Sequence, residues 1–80
     1  MIRYHRQAEK YIISQGKTNA ARLIAAINRL PCGDVKPLYG RNQPVKYRLR
    51  VGGYRIIFRK DQDMITILYV DTRGDVYKSV

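Results

Sequence analysis

Cations stand at alternate positions 46, 48 and 50 and again at 55 and 59 in the stretch Val45-Lys46-Tyr47-Arg48-Leu49-Arg50-Val51-Gly52-Gly53-Tyr54-Arg55-Ile56-Ile57-Phe58-Arg59-Lys60. Gly52-Gly53 has the form of a two-residue hairpin loop, which predicts that Val51 pairs with Tyr54, Arg50 with Arg55, Leu49 with Ile56, Arg48 with Ile57, Tyr47 with Phe58 and Lys46 with Arg59. Successive strand residues point to opposite faces. One face is then Val45, Tyr47, Leu49, Val51, Tyr54, Ile56 and Phe58. The other holds Lys46, Arg48, Arg50, Arg55 and Arg59 around Ile57, with no carboxylate in the hairpin to interrupt them. Like charges directly opposite one another weaken a sheet. A chain that accepts this cost holds cations on a rigid surface, and the chemistry that follows is the binding of an anion.

The composition narrows which anion. The chain has 80 residues and a formal charge of +10, from 16 Lys and Arg against 6 Asp and Glu. Such a field favours nucleic acid, an acidic protein or an anionic surface. A membrane is not expected as partner, because no apolar run approaches the roughly 20 residues that span a bilayer and the basic face lies on alternating strand positions. The N-terminus has no apolar segment followed by a small-residue cleavage site, so a cytoplasmic location is expected. The lone cysteine, Cys32, agrees with a reducing compartment. One Cys and one His, His5, supply no plausible zinc set, so neither a metal nor any other cofactor is expected. Gly52-Gly53 leads into a strand, which sets it apart from a phosphate-binding loop opening a helix.

The elements that must position the hairpin read as follows. Residues 1–80 form a single domain, able to bury about 60% of its unfolded surface in one two-layer core. Ile2-Arg3-Tyr4 is either a strand stub or a helix start. From about His5 to Gln15, Ala8, Tyr11 and Ile12 have helical spacing, with Gly16 as the stop. Thr18 or Asn19 caps a second helix, whose stripe is Ala20, Leu23, Ile24, Ile27 and Leu30, ended by Pro31. Cys32 to Pro44 reads as an ordered connector anchored by Val35 and Leu38. Asp61-Gln62 or its neighbours turn the chain into a strand near Met64 to Val70, whose Ile65, Ile67 and Tyr69 extend the apolar face. Thr72-Arg73-Gly74 is a turn before a last short strand at Val76 to Lys78. The expected architecture is α+β: two N-terminal helices packed on one face of a three- to four-stranded antiparallel sheet, the other face open.

Two helices, then Leu38-Tyr39-Gly40, the hairpin Tyr47 to Phe58, and Arg73-Gly74-Asp75-Val76-Tyr77 together resemble the RelE/ParE superfamily of toxins from type II toxin–antitoxin systems, and the RelE branch most. The resemblance covers nearly the whole chain. It implies a ribosome-dependent mRNA endonuclease whose open sheet face enters the ribosomal A site, where the 2′-hydroxyl attacks the neighbouring phosphate. The matching catalytic positions are Lys46, Arg48, Arg55, Arg73 and Tyr77, with Arg50, Arg59 and Lys78 as further RNA-binding cations. These residue types suit the reaction, since the phosphorane gains negative charge and the departing 5′-oxygen needs a proton or a nearby cation. Arg55 and Arg73 serve the charge, because guanidinium is always ionised and grips phosphate bidentately. Lys46 and Tyr77 are the two candidates for proton transfer, and an aromatic at Tyr77 can also stack on a displaced base.

Some relatives carry a further Arg two residues before the position of Arg73, and many a His directly before it; Asp71 and Thr72 stand there in this chain. The implied partners are a cognate antitoxin, the ribosome and mRNA, and the toxin free of antitoxin is expected to be a monomer. Two other classes fit the same resemblance. One is a ParE-like inhibitor of DNA gyrase without chemistry of its own; the other is a non-catalytic relative that only binds RNA or antitoxin.

Overall fold

A computed structural model describes residues 1–38 and 46–72. The order of elements is β1 (Ile2–Tyr4), α1 (Arg6–Ser14), α2 (Lys17–Asn28), β2 (Asp34–Leu38), β3 (Lys46–Val51), β4 (Tyr54–Asp61) and β5 (Met64–Asp71). They build a five-stranded sheet in the order β1-β5-β4-β3-β2. The helices cover one face, so the α+β class read from the pattern holds.

Strand number and direction differ from the expectation. Ile2-Arg3-Tyr4 forms a true strand, pairing parallel with β5 through Ile2–Ile65, Arg3–Thr66 and Tyr4–Ile67, so the sheet is mixed. The segment expected to be a connector contains β2, antiparallel to β3. Its Asp, Lys and Pro hide it from a search for β-branched and aromatic residues, and they are the residues that suit a sheet edge. The expected strand at Val76 to Lys78, the turn at Thr72-Arg73-Gly74, Tyr39, Gly40 and Val45 lie wholly or partly outside the described residues.

The helices follow their apolar spacing. His5 caps α1, its Nδ1 accepting from the Gln7 N–H at 3.4 Å, and the helix buries Ala8 and Ile12. Gly16, at φ +91°, turns the chain in a single residue and is itself the N-cap of α2. Thr18 and Asn19, read as caps, therefore sit inside the first turn. In the expected stripe of α2, Leu23 and Ile27 are fully buried, but Ile24 is 41% exposed.

The core cluster joins Ala8, Ile12, Leu23 and Ile27 to Leu49, Tyr54, Ile56, Phe58, Ile65, Ile67 and Val70 from the sheet. Tyr47 stacks on Phe58, ring centroids 5.4 Å apart, and the Tyr54 hydroxyl donates to Gln15 Oε1 at 3.1 Å. Ile2 and Tyr4 pack on the same cluster from β1. Burial pushes the Tyr4 phenol above its ordinary pKa by disfavouring the charged form.

The hairpin turn is the tightest point of the fold. Gly52 has φ +58°, and a Cβ built there would meet the guanidinium of Arg22, on α2, at 2.9 Å. A Cβ on Gly53 meets nothing within 4 Å. Gly52→Ala is therefore expected to destabilise by about 1–2 kcal/mol, the cost of a left-handed non-glycine residue, while Gly53→Ala changes stability by less than about 0.5 kcal/mol. Leu23→Ala, at a fully buried position, should cost about 2–5 kcal/mol. Urea unfolding of the three variants checks the order.

Candidate functional site

The β3–β4 register is the one read from the sequence, pair for pair: Lys46–Arg59, Tyr47–Phe58, Arg48–Ile57, Leu49–Ile56, Arg50–Arg55 and Val51–Tyr54. Leu49, Tyr54, Ile56 and Phe58 enter the core. By strand alternation Lys46, Arg48, Arg50, Arg55 and Arg59 then share the opposite face. The core thus fixes the cations: sliding the register by one residue would exchange the two sets. Lys46, Arg48, Arg55 and Arg59 are half-buried and Arg50 is exposed.

Neighbouring strands add to this face what a hairpin alone cannot. Lys36 lies opposite Arg48 and Asp34 opposite Arg50 on β2. Asp71 lies opposite Arg55 on β5. The cations are therefore flanked by carboxylates contributed across the sheet, though none lies within β3 or between the hairpin pairs. Arg48 Nη2 is 3.8 Å from Asp34 Oδ1, longer than the ~2.7–2.9 Å of a charge-assisted hydrogen bond. Arg48 Nε is buried and finds no acceptor among the described residues. Arg59 Nε approaches Asp61 Oδ2 to 3.1 Å without the alignment of a hydrogen bond.

Ile57 forms the floor of this face. It is fully buried, yet stands apart from the helix-covered cluster. The strand expected at Met64 to Val70 enters the core through Ile65 and Ile67 as read, but Tyr69 does not follow them. The register shifts between Ile57 and Phe58, which pair with Tyr69 and Ile67. Leu68 is the additional residue on β5, and after it Val70 enters the core in the place expected for Tyr69. This is a β-bulge. Tyr69, half-buried, joins the open face beside Ile57.

Arg73, Tyr77 and Lys78 lie outside the described residues. Of the expected site, Lys46, Arg48 and Arg55 stand together with Arg50 and Arg59. Tyr69 was missed, because strict alternation from Ile65 and Ile67 assigns it to the core. No group of His, Cys, Asp and Glu suited to a metal ion occurs among the described residues, and none of the described helices is long and apolar enough to cross a membrane.

A second surface lies on the helical side. Ile12, Ile13 and Ile24, with Tyr4, Glu9 and Asn28, line a groove of about 400 Å³. Ile13 is 69% exposed.

Sequence comparison meets this geometry directly. The profile of the family described as ParE toxin of type II toxin–antitoxin systems, parDE, matches residues 2–77. The chain belongs to that toxin family. The solved archaeal RelE–RelB complex from Pyrococcus horikoshii OT3 contains a chain 26% identical to this toxin, superposing with a TM-score of 0.73 over 91% of this chain and 93% of that one. No curated protein sequence matches it significantly. The chain is therefore a toxin of the RelE/ParE superfamily with a RelE-like fold.

The Arg48–Asp34 pair gives a direct test of the toxin's electrostatics. Asp34 is half exposed and the pair is long, so Asp34→Ala should change stability by less than about 1 kcal/mol. Freed from its neighbour, Arg48 should hold polyanions more firmly. Retention on heparin at higher salt than the parent, with unchanged unfolding, is the expected outcome.

Proposed function

We propose that this toxin is a ribosome-dependent endoribonuclease that cuts mRNA in the A site by attack of the 2′-hydroxyl on the adjacent phosphate, without a metal ion. The observation that carries the reading is the common face of Lys46, Arg48, Arg50, Arg55 and Arg59, fixed by the hairpin register. A surface meant only to bind protein has no need to hold so many half-desolvated cations opposite one another. In this mechanism Arg55 and Arg48 stabilise the charge that develops on the phosphorane. Lys46 and Tyr77 are the groups for proton transfer, and Arg73 adds to the charge clamp. Arg50, Arg59 and Lys78 hold RNA on either side, including ribosomal RNA. Preorganised cations in a partly desolvated site act without reorganising during the reaction.

The partner that silences the toxin is a cognate antitoxin. The related archaeal RelE was solved as a complex with RelB, and two surfaces of this toxin suit such a protein. An acidic segment complements the cationic face. An amphipathic helix complements the apolar groove at Ile13 and Ile24.

A second reading is favoured by the family profile, which is that of ParE: a protein that inhibits DNA gyrase and performs no chemistry. Mapping transcript 5′ ends after induction separates the two. Codon-phased cuts support the nuclease, whereas intact transcripts with gyrase-linked DNA breaks support the inhibitor. Arg55→Ala should lower cleavage by about 100- to 1,000-fold, the usual loss when a donor to the transition-state charge is removed, and Tyr77→Ala by about 100- to 10,000-fold, the range for a proton-transfer group. Both variants remaining as toxic as the parent would refute the assignment of the site.

A further inference from the structure

The bulge at Leu68 moves a tyrosine out of the core of a very small domain. Ile65 and Ile67 are both buried there, and unbroken alternation would send Tyr69 after them. One additional residue resets the phase, so that Val70 enters the core and Tyr69 comes to the open face, in register with Ile57. Domains of this size have little apolar area to spare. An aromatic ring turned toward the cations is therefore a feature of that face.

The row across the sheet is Arg48, Ile57, Tyr69. Strands lie ~4.8 Å apart, so Arg48 and Tyr69 stand about 10 Å apart at Cα, a span that one nucleotide with its flanking phosphate bridges. Ile57 between them is fully buried, so no competing charge stands in the middle of the row. Arg55 is the next residue on the open face of β4. A half-buried aromatic with the Arg48 guanidinium at the other end of its row offers a π-face to a base and donors to its phosphate.

We propose that Tyr69 stacks on an unpaired nucleobase of single-stranded RNA laid across the open face, and thereby fixes the position of the nucleotide held against Arg48. The proposal rests on the ribonuclease reading and names the contact that reading lacks. Phosphate contacts with Arg and Lys position a strand, and stacking adds a sequence-tolerant contact to the base itself.

The test uses the full-length toxin released from its antitoxin, with fluorescein-labelled oligouridylate and oligoadenylate, by fluorescence anisotropy over a range of salt. Tyr69→Ala should weaken binding about 5- to 150-fold, the fold-change that corresponds to losing one stacked base, and leave the salt dependence unchanged. Tyr69→Phe should bind like the parent. Tyr69→Leu, which keeps apolar bulk and guards against misfolding of the Ala variant, should bind like Tyr69→Ala. Arg48→Ala should weaken both oligonucleotides and lower the salt slope by about 1. If Arg48→Ala weakens binding while Tyr69→Ala and Tyr69→Leu do not, the stacking role is overturned and the nuclease reading stands. If Tyr69→Phe loses as much as Tyr69→Ala, the hydroxyl and not the ring makes the contact, and the proposal again fails. If the parent binds neither oligonucleotide, the stacking proposal fails, while the ribosome-dependent nuclease reading is decided separately by the transcript 5′ ends.

Discussion

Everything on the open face depends on the burial of Leu49, Ile56 and Phe58 beneath the two helices. Lys46 opposite Arg59 and Arg50 opposite Arg55 repel, and the carboxylates of Asp34, Asp61 and Asp71 beside them offset only part of that repulsion. The opposing force comes through the backbone, from alternate residues of the same strands packed against Leu23 and Ile27. Because the pleat has a period of two, core and cations are one decision: a sequence that satisfies the first fixes the second. The stacked Tyr47–Phe58 pair ties the two strands together on the covered side, where the ring contact supplements simple burial.

This division explains what could be read from the chain. The hairpin was legible because Gly52-Gly53 sets the register and the alternation around it is interrupted only at Ile57. The helices were legible from Ala8, Ile12, Leu23 and Ile27, which keep strict spacing. What escaped was decided across the sheet rather than along it. β2 is polar, and its pairing depends on β3. β1 is too short to have a period, and it exists only because β5 offers a partner at Ile65 to Ile67. Tyr69 was misassigned because a bulge is a disagreement in length between two strands, which one strand alone does not reveal. Asp34 and Asp71 were met in the sequence as isolated acids, and the sheet brings them beside Arg48 and Arg55.

Those carboxylates give the cationic face a graded character. Arg48 has a distant neighbour in Asp34, whereas Arg50 projects into solvent. The positive potential is therefore strongest where no carboxylate stands beside the cations. The apolar groove at Ile13 and Ile24 lies on the other side of the molecule, past the core. A protein occupying both surfaces would have to wrap around the edge of the sheet.

The parallel pairing of Ile2–Tyr4 with Ile65–Ile67 also has a temporal meaning. The start-side strand has no mate until almost the entire polypeptide has been synthesised, and the Met1 amino group donates to the Asp63 carbonyl at 3.0 Å only once that region has emerged. Contacts between such distant parts of a chain form slowly. The sheet edge at β1 is thus completed late in folding, after the strands between it and the hairpin are in place.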